Sequence, residues 1–295
     1  MLTPEIKSLA EDKLTEKLSE AVRITSWASM DGGCINRSVK LETTAGYFFM
    51  KWNKNGPSDL FLREAEGLTA LRKASTMLQV PEVYAATAIT SNQPGILVLE
   101  FMMLSTGTTK EEERLGQGLA QLHGVAQENY GFYHDNYCGA TLQNNHWNAD
   151  WIEFFGEQRI WHLVRLIEKR RGMPSSDLWV YEQLVGKLPT FISHQPGPAL
   201  NHGDLWSGNC LYTTSGPALI DPASYYADRE CDLALMDMFG GFSQRVWQAY
   251  QNAYPLPDEW RDRMAIYQLY HYLNHYYLFG GGYGTTAISI AKKFL

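Results

Sequence analysis

The apolar positions of the first hundred residues pass from helical spacing to the alternation that is typical of strands. Ile6, Leu9, Leu14 and Leu18 recur among charged residues, which predicts a surface helix near the N-terminus. Segments rich in β-branched and aromatic residues follow, and short glycine-containing segments separate them. They predict a three-stranded meander over residues 22–30, 37–43 and 47–52.

A second helix and more extended chain follow the meander. Leu60, Leu68 and Leu71 recur at helical spacing over residues 60–74, and Pro81 opens an extended stretch that ends at Phe101. Beyond residue 102 long helical patterns dominate, over residues 111–125, 151–171 and 260–279. We therefore predict an α+β chain of two lobes, a small antiparallel-sheet N-lobe over residues 1–102 and a mostly helical C-lobe over residues 103–295.

Composition and charge exclude several classes of protein. The 295 residues are 45% hydrophobic and carry a net charge of −7, which argues against a disordered or fibrous chain and against nucleic-acid binding. No apolar run approaches the roughly 18 residues of a membrane span, and the N-terminus lacks an apolar signal core, so we expect a soluble, cytoplasmic protein without a membrane partner. The four cysteines, at positions 34, 138, 210 and 231, form no CxxC pair and are expected to be reduced thiols.

The segment from His202 to Asn209, HGDLWSGN, carries the most informative chemistry. Its core is Asp204-x-x-x-x-Asn209, followed by Asp221, which is the spacing of a kinase catalytic loop and its metal-binding Asp, with Gly203 in place of the usual Arg. Asp204 is the candidate catalytic base, and Asn209 and Asp221 offer hard oxygen ligands to Mg²⁺. A short hairpin over residues 210–219 would return Asp221 to the side of Asn209.

The small lobe supplies candidates for binding nucleotide phosphates. Glu64 falls on the apolar stripe of its predicted helix and needs a cation, for which Lys51 in the third strand is the candidate, and Glu66 is the alternative carboxylate. A glycine-containing loop precedes Lys51 and could approach phosphates with its backbone N–H groups, through Gly32, Gly33 and Cys34. The chain has no Walker A sequence, which disfavours a P-loop NTPase.

Nearly the whole chain resembles the fructosamine kinase (ketosamine 3-kinase) family, whose members are related to aminoglycoside and choline kinases and share a protein-kinase-like fold. The resemblance lies in the catalytic loop with Trp206, the block from Gln143 to Trp151, and further segments at residues 32–36, 61–65, 229–234, 239–242 and 273–281. Aminoglycoside and choline kinases would not be expected to carry that block or the Trp206-Ser207 pair.

The resemblance implies ATP-dependent phosphorylation of the 3-hydroxyl of ketosamines, as small molecules or on glycated protein lysines, which leads to deglycation. It implies that Trp206 lines the sugar site and that backbone groups of Glu100, Phe101 and Met102 contact adenine. It also implies that Cys34 is a candidate redox switch, and a monomer or a homodimer is expected. We expect His202 to brace the catalytic loop and Asp232 to cap or tie it.

Two alternatives remain at this point. One is a kinase for another hydroxyl substrate, such as an aminoglycoside or a choline-like alcohol. The other is a regulatory pseudokinase that binds nucleotide without turnover, against which the full set of kinase residues argues. A protein kinase is disfavoured because no D-F-G or A-P-E segment accompanies Asp221.

Overall fold

The computed structural model describes residues 2–30 and 36–295. Five antiparallel strands form a sheet in the order β1-β2-β3-β5-β4. Two helices accompany this sheet, α1 (Pro4–Leu18) and α2 (Leu60–Ala74). The strands are β1 (Ile24–Met30), β2 (Arg37–Thr43), β3 (Gly46–Asn53), β4 (Val83–Ala86) and β5 (Gly95–Glu100).

The two faces of the sheet bury different helices, as the alternation along β5 requires. Ile96 and Val98 pack in a cluster with residues of α1, whereas Leu97 and Leu99 pack with residues of α2. The predicted surface helix thus covers one face of the sheet. The predicted meander is confirmed, and the extended stretch that follows Pro81 forms two strands.

Helices dominate the rest of the chain, and the predicted limit at residue 102 falls between β5 and α3. Two-stranded ladders join β6 to β7, β8 to β11 and β9 to β10. The helices are α3 (Thr109–His123), α4 (Trp151–Phe155), α5 (His162–Arg171), α6 (Ser175–Phe191), α7 (Glu230–Phe239), α8 (Gln244–Ala253), α9 (Trp260–Phe279) and α10 (Gly282–Lys293). The strands are β6 (Asn136–Cys138), β7 (Thr141–Gln143), β8 (Ala199–Asn201), β9 (Cys210–Thr213), β10 (Gly216–Leu219) and β11 (Tyr225–Ala227).

Two helical segments differ in detail from the helices that the apolar spacing predicts. The segment predicted as one helix over residues 151–171 is helical throughout, but Gly156–Trp161 between α4 and α5 is a π-helix. Helix α3 starts earlier than its first apolar residues, because Thr108 and Glu111 form a capping box at its N-terminus. Among the residues that the structure describes, none of the helices combines the length and apolar character that a membrane crossing requires.

Candidate active site

Lys51 is the basic centre of the site. Strand alternation directs its side chain to the α2 face, opposite to Met50 and Trp52, which pack on the α1 side. Its Nζ lies 2.8 Å from Glu64 Oε1 and 2.5 Å from Asp221 Oδ1. Burial alone would lower the pKa of Lys51, but the two carboxylates outweigh burial and raise it above its ordinary value. The structure therefore holds a charged ammonium between the sheet, α2 and the segment that carries Asp221.

The partner of Lys51 on α2 is Glu64 rather than Glu66. Burial raises the pKa of Glu64, and the charge of Lys51 opposes that increase. Glu66 is occupied elsewhere, since its carboxylate oxygens lie 3.0 Å from Arg63 Nη1 and 2.8 Å from His134 Nδ1. The apolar stripe of α2 thus indicates the correct carboxylate.

The second residue of the candidate catalytic loop is Gly203, and its backbone conformation explains why this position needs a glycine. Gly203 has a φ of +83°, and a Cβ on it would lie 2.1 Å from the carbonyl oxygen of Ala223. The neighbouring Ala223 N–H donates to the carbonyl of His202 at 2.9 Å, which holds the two segments together. An Arg at position 203, as in a protein kinase, would not fit this backbone.

Asp232 on α7 holds the backbone of this loop in place through hydrogen bonds. Its two carboxylate oxygens accept the backbone N–H groups of His202 at 2.6 Å and Gly203 at 2.9 Å. His123 on α3 contacts the same carboxylate at 3.2 Å, and its other ring nitrogen lies 2.8 Å from Tyr250 Oη. Burial would raise the pKa of Asp232, but these hydrogen bonds and neighbouring charges lower it, so the carboxylate is ionised. The predicted tie by Asp232 is confirmed.

His202 braces the loop, as predicted. Its Nε2 lies 2.9 Å from the carbonyl oxygen of Ile220, and its Nδ1 lies 3.2 Å from the backbone N–H of Asp204. This pattern requires a neutral ring with its proton on Nε2. Burial lowers the pKa of His202, which agrees with the neutral form. Both ring nitrogens are engaged, so His202 links the residue before Asp221 to Asp204 and is not available as a base.

Asp204 is partly buried and carries an unusual carboxyl group. Asn209 donates its side-chain amide to the Asp204 carbonyl at 2.9 Å and to Asp204 Oδ2 at 3.2 Å. Burial and then the charge of Asp221 raise the pKa of Asp204 to about 7, against the hydrogen bond from Asn209 that lowers it. The group is thus poised to gain or lose a proton near neutral pH.

A tight hairpin brings Asp221 to this loop. Strands β9 and β10 pair in register from Cys210 with Leu219 to Thr213 with Gly216, and the Ile220 N–H donates to the carbonyl of Asn209 at 3.0 Å. Asp221 itself has a φ of 56°, the left-handed region that non-glycine residues rarely adopt. The hairpin returns Asp221 to the side of Asn209, as the sequence predicts, and the Asp221 carboxylate also contacts Lys51, which the sequence does not predict.

Trp206 lies at the surface, so its side chain is not part of the core. It is 40% exposed and contacts Phe239 of α7 edge to face, with ring centroids 6.2 Å apart. The indole lies against Gly208, where a Cβ would fall 2.1 Å from the ring. Two positions after Asp204, the loop therefore presents an exposed aromatic surface.

The residues predicted to contact adenine lie at the end of strand β5 and directly after it. Glu100 closes β5, and its carboxylate accepts the Glu82 N–H at 3.1 Å and lies 3.3 Å from Arg72 Nη1. Phe101 and Met102 follow outside any strand. The three predicted phosphate-loop residues, Gly32, Gly33 and Cys34, lie outside the described residues.

Sequence reasoning missed two side chains close to Asp204. Cys138 at the end of β6 and His271 on α9 are both 3% exposed. Ligand atoms of these two residues and of Asp204 all lie within 4.8 Å of one another. No spacing in the sequence joins them, because the three residues come from segments that only the fold brings together.

The donor set fits a magnesium–nucleotide complex. Mg²⁺ prefers hard oxygen ligands, which the side chains of Asn209 and Asp221 provide. The amide nitrogen of Asn209 is used by Asp204, and no described residue donates to its Oδ1. The buried ammonium of Lys51 supplies the fixed positive charge that phosphate groups require.

Comparison with known sequences points to one family. A sequence model described as fructosamine kinase matches residues 6–295. A candidate ketoamine kinase from Vibrio parahaemolyticus is 39% identical over 274 residues, which cover 92% of this chain and 93% of that protein. A protein-ribulosamine 3-kinase from Arabidopsis thaliana is 35% identical over 298 residues, 98% of this chain and 89% of that one.

Solved structures agree with this grouping. The structure of a candidate fructosamine-3-kinase from Haemophilus somnus matches with a TM-score of 0.86 at 27% identity. The match covers 97% of this chain and 96% of that protein. An aminoglycoside phosphotransferase, APH(4)-Ia, reaches a TM-score of 0.59 at 14% identity over 96% of this chain and 98% of its own, a likeness of fold alone.

These findings confirm the predicted kinase-like α+β fold and an ATP-dependent phosphotransferase that acts on a hydroxyl group. They favour ketosamine phosphorylation over the aminoglycoside, choline and pseudokinase alternatives. The chain belongs to the fructosamine kinase family.

Proposed function

We propose that this kinase transfers phosphate from magnesium-bound ATP to the 3-hydroxyl of ketosamines, with Asp204 as the catalytic base. The observation that carries the proposal is one constellation: Lys51 joined to Glu64 and Asp221, and Asp204 held beside Asn209. Positioning and charge stabilisation supply most of the catalysis in phosphoryl transfer, and these residues are of the types required.

Asp204 would accept the proton of the attacking sugar hydroxyl. A general base works best when its pKa lies near the working pH, and burial together with Asp221 raises the pKa of Asp204 to about 7. The amide of Asn209 holds Oδ2 of Asp204, which fixes the orientation of the carboxylate. Asp232 and His202 hold the backbone on either side and act as positioning residues.

Lys51, Asn209 and Asp221 would bind the nucleotide. The ammonium of Lys51 would contact phosphate oxygens while Glu64 keeps it in place. Asn209 Oδ1 and the Asp221 carboxylate would hold Mg²⁺, which neutralises charge on the phosphates when it is bound. Backbone groups of Glu100, Phe101 and Met102 would contact adenine.

The loop between the first two strands would complete the nucleotide site. Gly32, Gly33 and Cys34 would cover the phosphates with backbone N–H groups. In that loop Cys34 would act as a redox switch.

Trp206 would bind the sugar. Its exposed indole follows Asp204 by two residues and offers a flat apolar face against which a sugar ring or chain packs. The relative from Arabidopsis thaliana is named for a ribulosamine substrate, and we extend that substrate class to this chain. The 3-phosphate of a ketosamine is unstable and decomposes, so the biological result would be deglycation of a small amine or of a protein lysine.

The test is a magnesium-dependent ATP-consumption assay on ribulosyl-, erythrulosyl- and fructosyl-lysine, with an aminoglycoside and choline as competing substrates. We expect turnover on ketosamines, a 3-phosphate identified by NMR, and loss of activity by a factor of at least about 100 in Asp204→Asn. Asp258→Asn, a change of an exposed carboxylate far along the chain, is the matched control and should keep its activity. Turnover of the aminoglycoside or choline alone would contradict the substrate assignment, and ATP binding without turnover would contradict catalysis.

A further inference from the structure

Three side chains of the types that bind metals form a cluster that includes Asp204 of the candidate catalytic loop. Cys138 from β6, His271 from α9 and Asp204 from the loop bring Sγ, a ring nitrogen and a carboxylate oxygen within 4.8 Å of one another. The ligands of a tetrahedral zinc ion, at about 2.0–2.3 Å from the metal, lie roughly 3.3–3.8 Å apart. The separations of the three atoms therefore exceed those that one zinc ion requires by at most about 1.5 Å.

The Nδ1 atom of His271 is available to a ligand, although the ring packs edge to face against Tyr270. The side chain is 3% exposed, and its Nδ1 is buried without a hydrogen-bond partner among the described residues. A buried polar atom without a partner is unfavourable unless something satisfies it. Burial lowers the pKa of His271 to about 3, so the ring is in the neutral form that metals bind.

We propose that Cys138, His271 and Asp204 form a binding site for Zn²⁺ or a similar soft divalent cation, and that its occupation inhibits the kinase. Three protein ligands with one open position are typical of zinc sites that exchange their fourth ligand. The inhibitory effect rests on the proposed role of Asp204, whereas metal binding does not.

Charge neutrality makes the buried site feasible. Burial raises the pKa of the Cys138 thiol well above its ordinary value, so binding must release one proton as the Zn–S bond forms. A divalent ion with one thiolate and one carboxylate then has no net charge, so the nearby charge of Arg159 does not oppose it. Asn274 donates to Cys138 Sγ at 3.3 Å and can support the thiolate as an outer ligand.

The ligand types separate this site from the magnesium site. Thiolate and imidazole favour zinc and similar transition metals, whereas Mg²⁺ prefers the oxygens of Asn209 and Asp221. Excess Mg²⁺ should therefore not displace the inhibitory ion. Once coordinated, the carboxylate of Asp204 could no longer accept a proton from the substrate hydroxyl, which is why inhibition follows from binding.

Direct metal binding is measured first, on the full chain after treatment with a chelator. Co²⁺ serves as a coloured substitute for Zn²⁺, and we expect one ion per chain with a thiolate-to-cobalt charge-transfer band. Zinc should displace the cobalt without further release of protons, whereas zinc binding to the metal-free chain at about pH 8 should release the one proton of the Cys138 thiol. Cys138→Ser should remove the band and weaken zinc binding at least about tenfold. Cys231→Ser is the matched thiol control that should retain both the band and zinc binding, with folding checked by circular dichroism.

Kinase activity is then measured against zinc at fixed excess Mg²⁺. Inhibition should move to at least about tenfold higher zinc in Cys138→Ser, relative to the zinc-free rate of that variant. A charge-transfer band that persists in Cys138→Ser would overturn the site, because another thiolate would then hold the ion. Cobalt bound without a thiolate would also overturn it and would point to the separate His194–Asp228–Glu230 cluster. Stoichiometric binding through Cys138 without inhibition of an active kinase would overturn the inhibitory role alone. A chain without kinase activity would refute the proposed function, while the cobalt spectrum would still decide the site.

Discussion

Replacement of Asp204 by asparagine should make the protein more stable while it abolishes activity. Burial and the charge of Asp221 raise the pKa of Asp204 from its usual 3.8 to about 7. A tenfold change in an equilibrium is worth about 1.4 kcal/mol, so ionised Asp204 destabilises the fold by up to about 4 kcal/mol above pH 7. Asparagine has nearly the same shape without the charge.

The sign and the pH window follow from linkage. A group whose pKa is raised on folding favours the native state only while it is protonated, below its unfolded pKa of 3.8. That contribution is lost as the pH rises towards 7. We therefore expect no gain from Asp204→Asn near pH 3 and a gain of about 2–4 kcal/mol at pH 8, the lower figure allowing for solvent near a partly exposed carboxylate.

The assay is urea unfolding followed by tryptophan fluorescence at several pH values, without nucleotide or metal. Asp258→Asn, an exposed carboxylate, serves as the control and should change the free energy of unfolding by less than about 0.5 kcal/mol. Equal or lower stability of Asp204→Asn at pH 8 would refute the reasoning. A gain that does not depend on pH would also refute it, because its source could not be ionisation.

Four further outcomes follow from the site. Glu64→Gln removes one of the two carboxylates on Lys51 and should lower kcat/KM for ATP about 10- to 100-fold in steady-state kinetics, whereas unchanged kinetics would exclude the pairing as functional. Gly203→Ala forces a Cβ to 2.1 Å from a backbone carbonyl and should destabilise the chain by at least about 2 kcal/mol in urea unfolding. Trp206→Ala should raise KM for the ketosamine about tenfold with little change for ATP, and equal effects on both would contradict a sugar contact. Burial lowers the pKa of His271 from 6.5 to about 3, so stability should fall as the pH drops below 6.5, by about 1.4 kcal/mol at pH 5.5 from this residue alone, measured by thermal unfolding across pH.

The sequence pattern around a residue is sufficient to predict its contact when only one kind of partner could stabilise that residue. Glu64 lies on an apolar helical stripe, and a buried carboxylate needs a cation, so the sequence identifies Lys51 as its partner and the structure places them 2.8 Å apart. The hairpin signal after Asn209 likewise predicts that Asp221 returns to the loop. The sheet, the principal helices and the family are predictable for the same reason, because periodicity and contiguous motifs encode them.

Contacts between distant segments are not encoded in that way. The need for glycine at position 203 becomes evident only when the carbonyl of Ala223 is seen to occupy the space of a side chain. The same is true of the contact of His123 with Asp232, because His123 alone is typical of an ordinary helix, although the hydrogen bonds of Asp232 to the loop are predicted. Sequence reasoning therefore recovers the residues that carry chemistry more readily than those that hold them.

The surroundings of Asp204 connect the stability prediction with the zinc proposal. The carboxylate of Asp204, whose pKa burial raises, also lies close to Cys138 on β6 and His271 on α9, two elements that the motif does not include. A carboxylate destabilised in this way gains from any proton or cation that reaches it. Neutralisation of Asp204, by a proton from the substrate hydroxyl or by a metal ion, thus relieves the same unfavourable charge. We therefore expect Asp204→Asn, which removes the charge, to gain stability and to weaken zinc binding in the same protein.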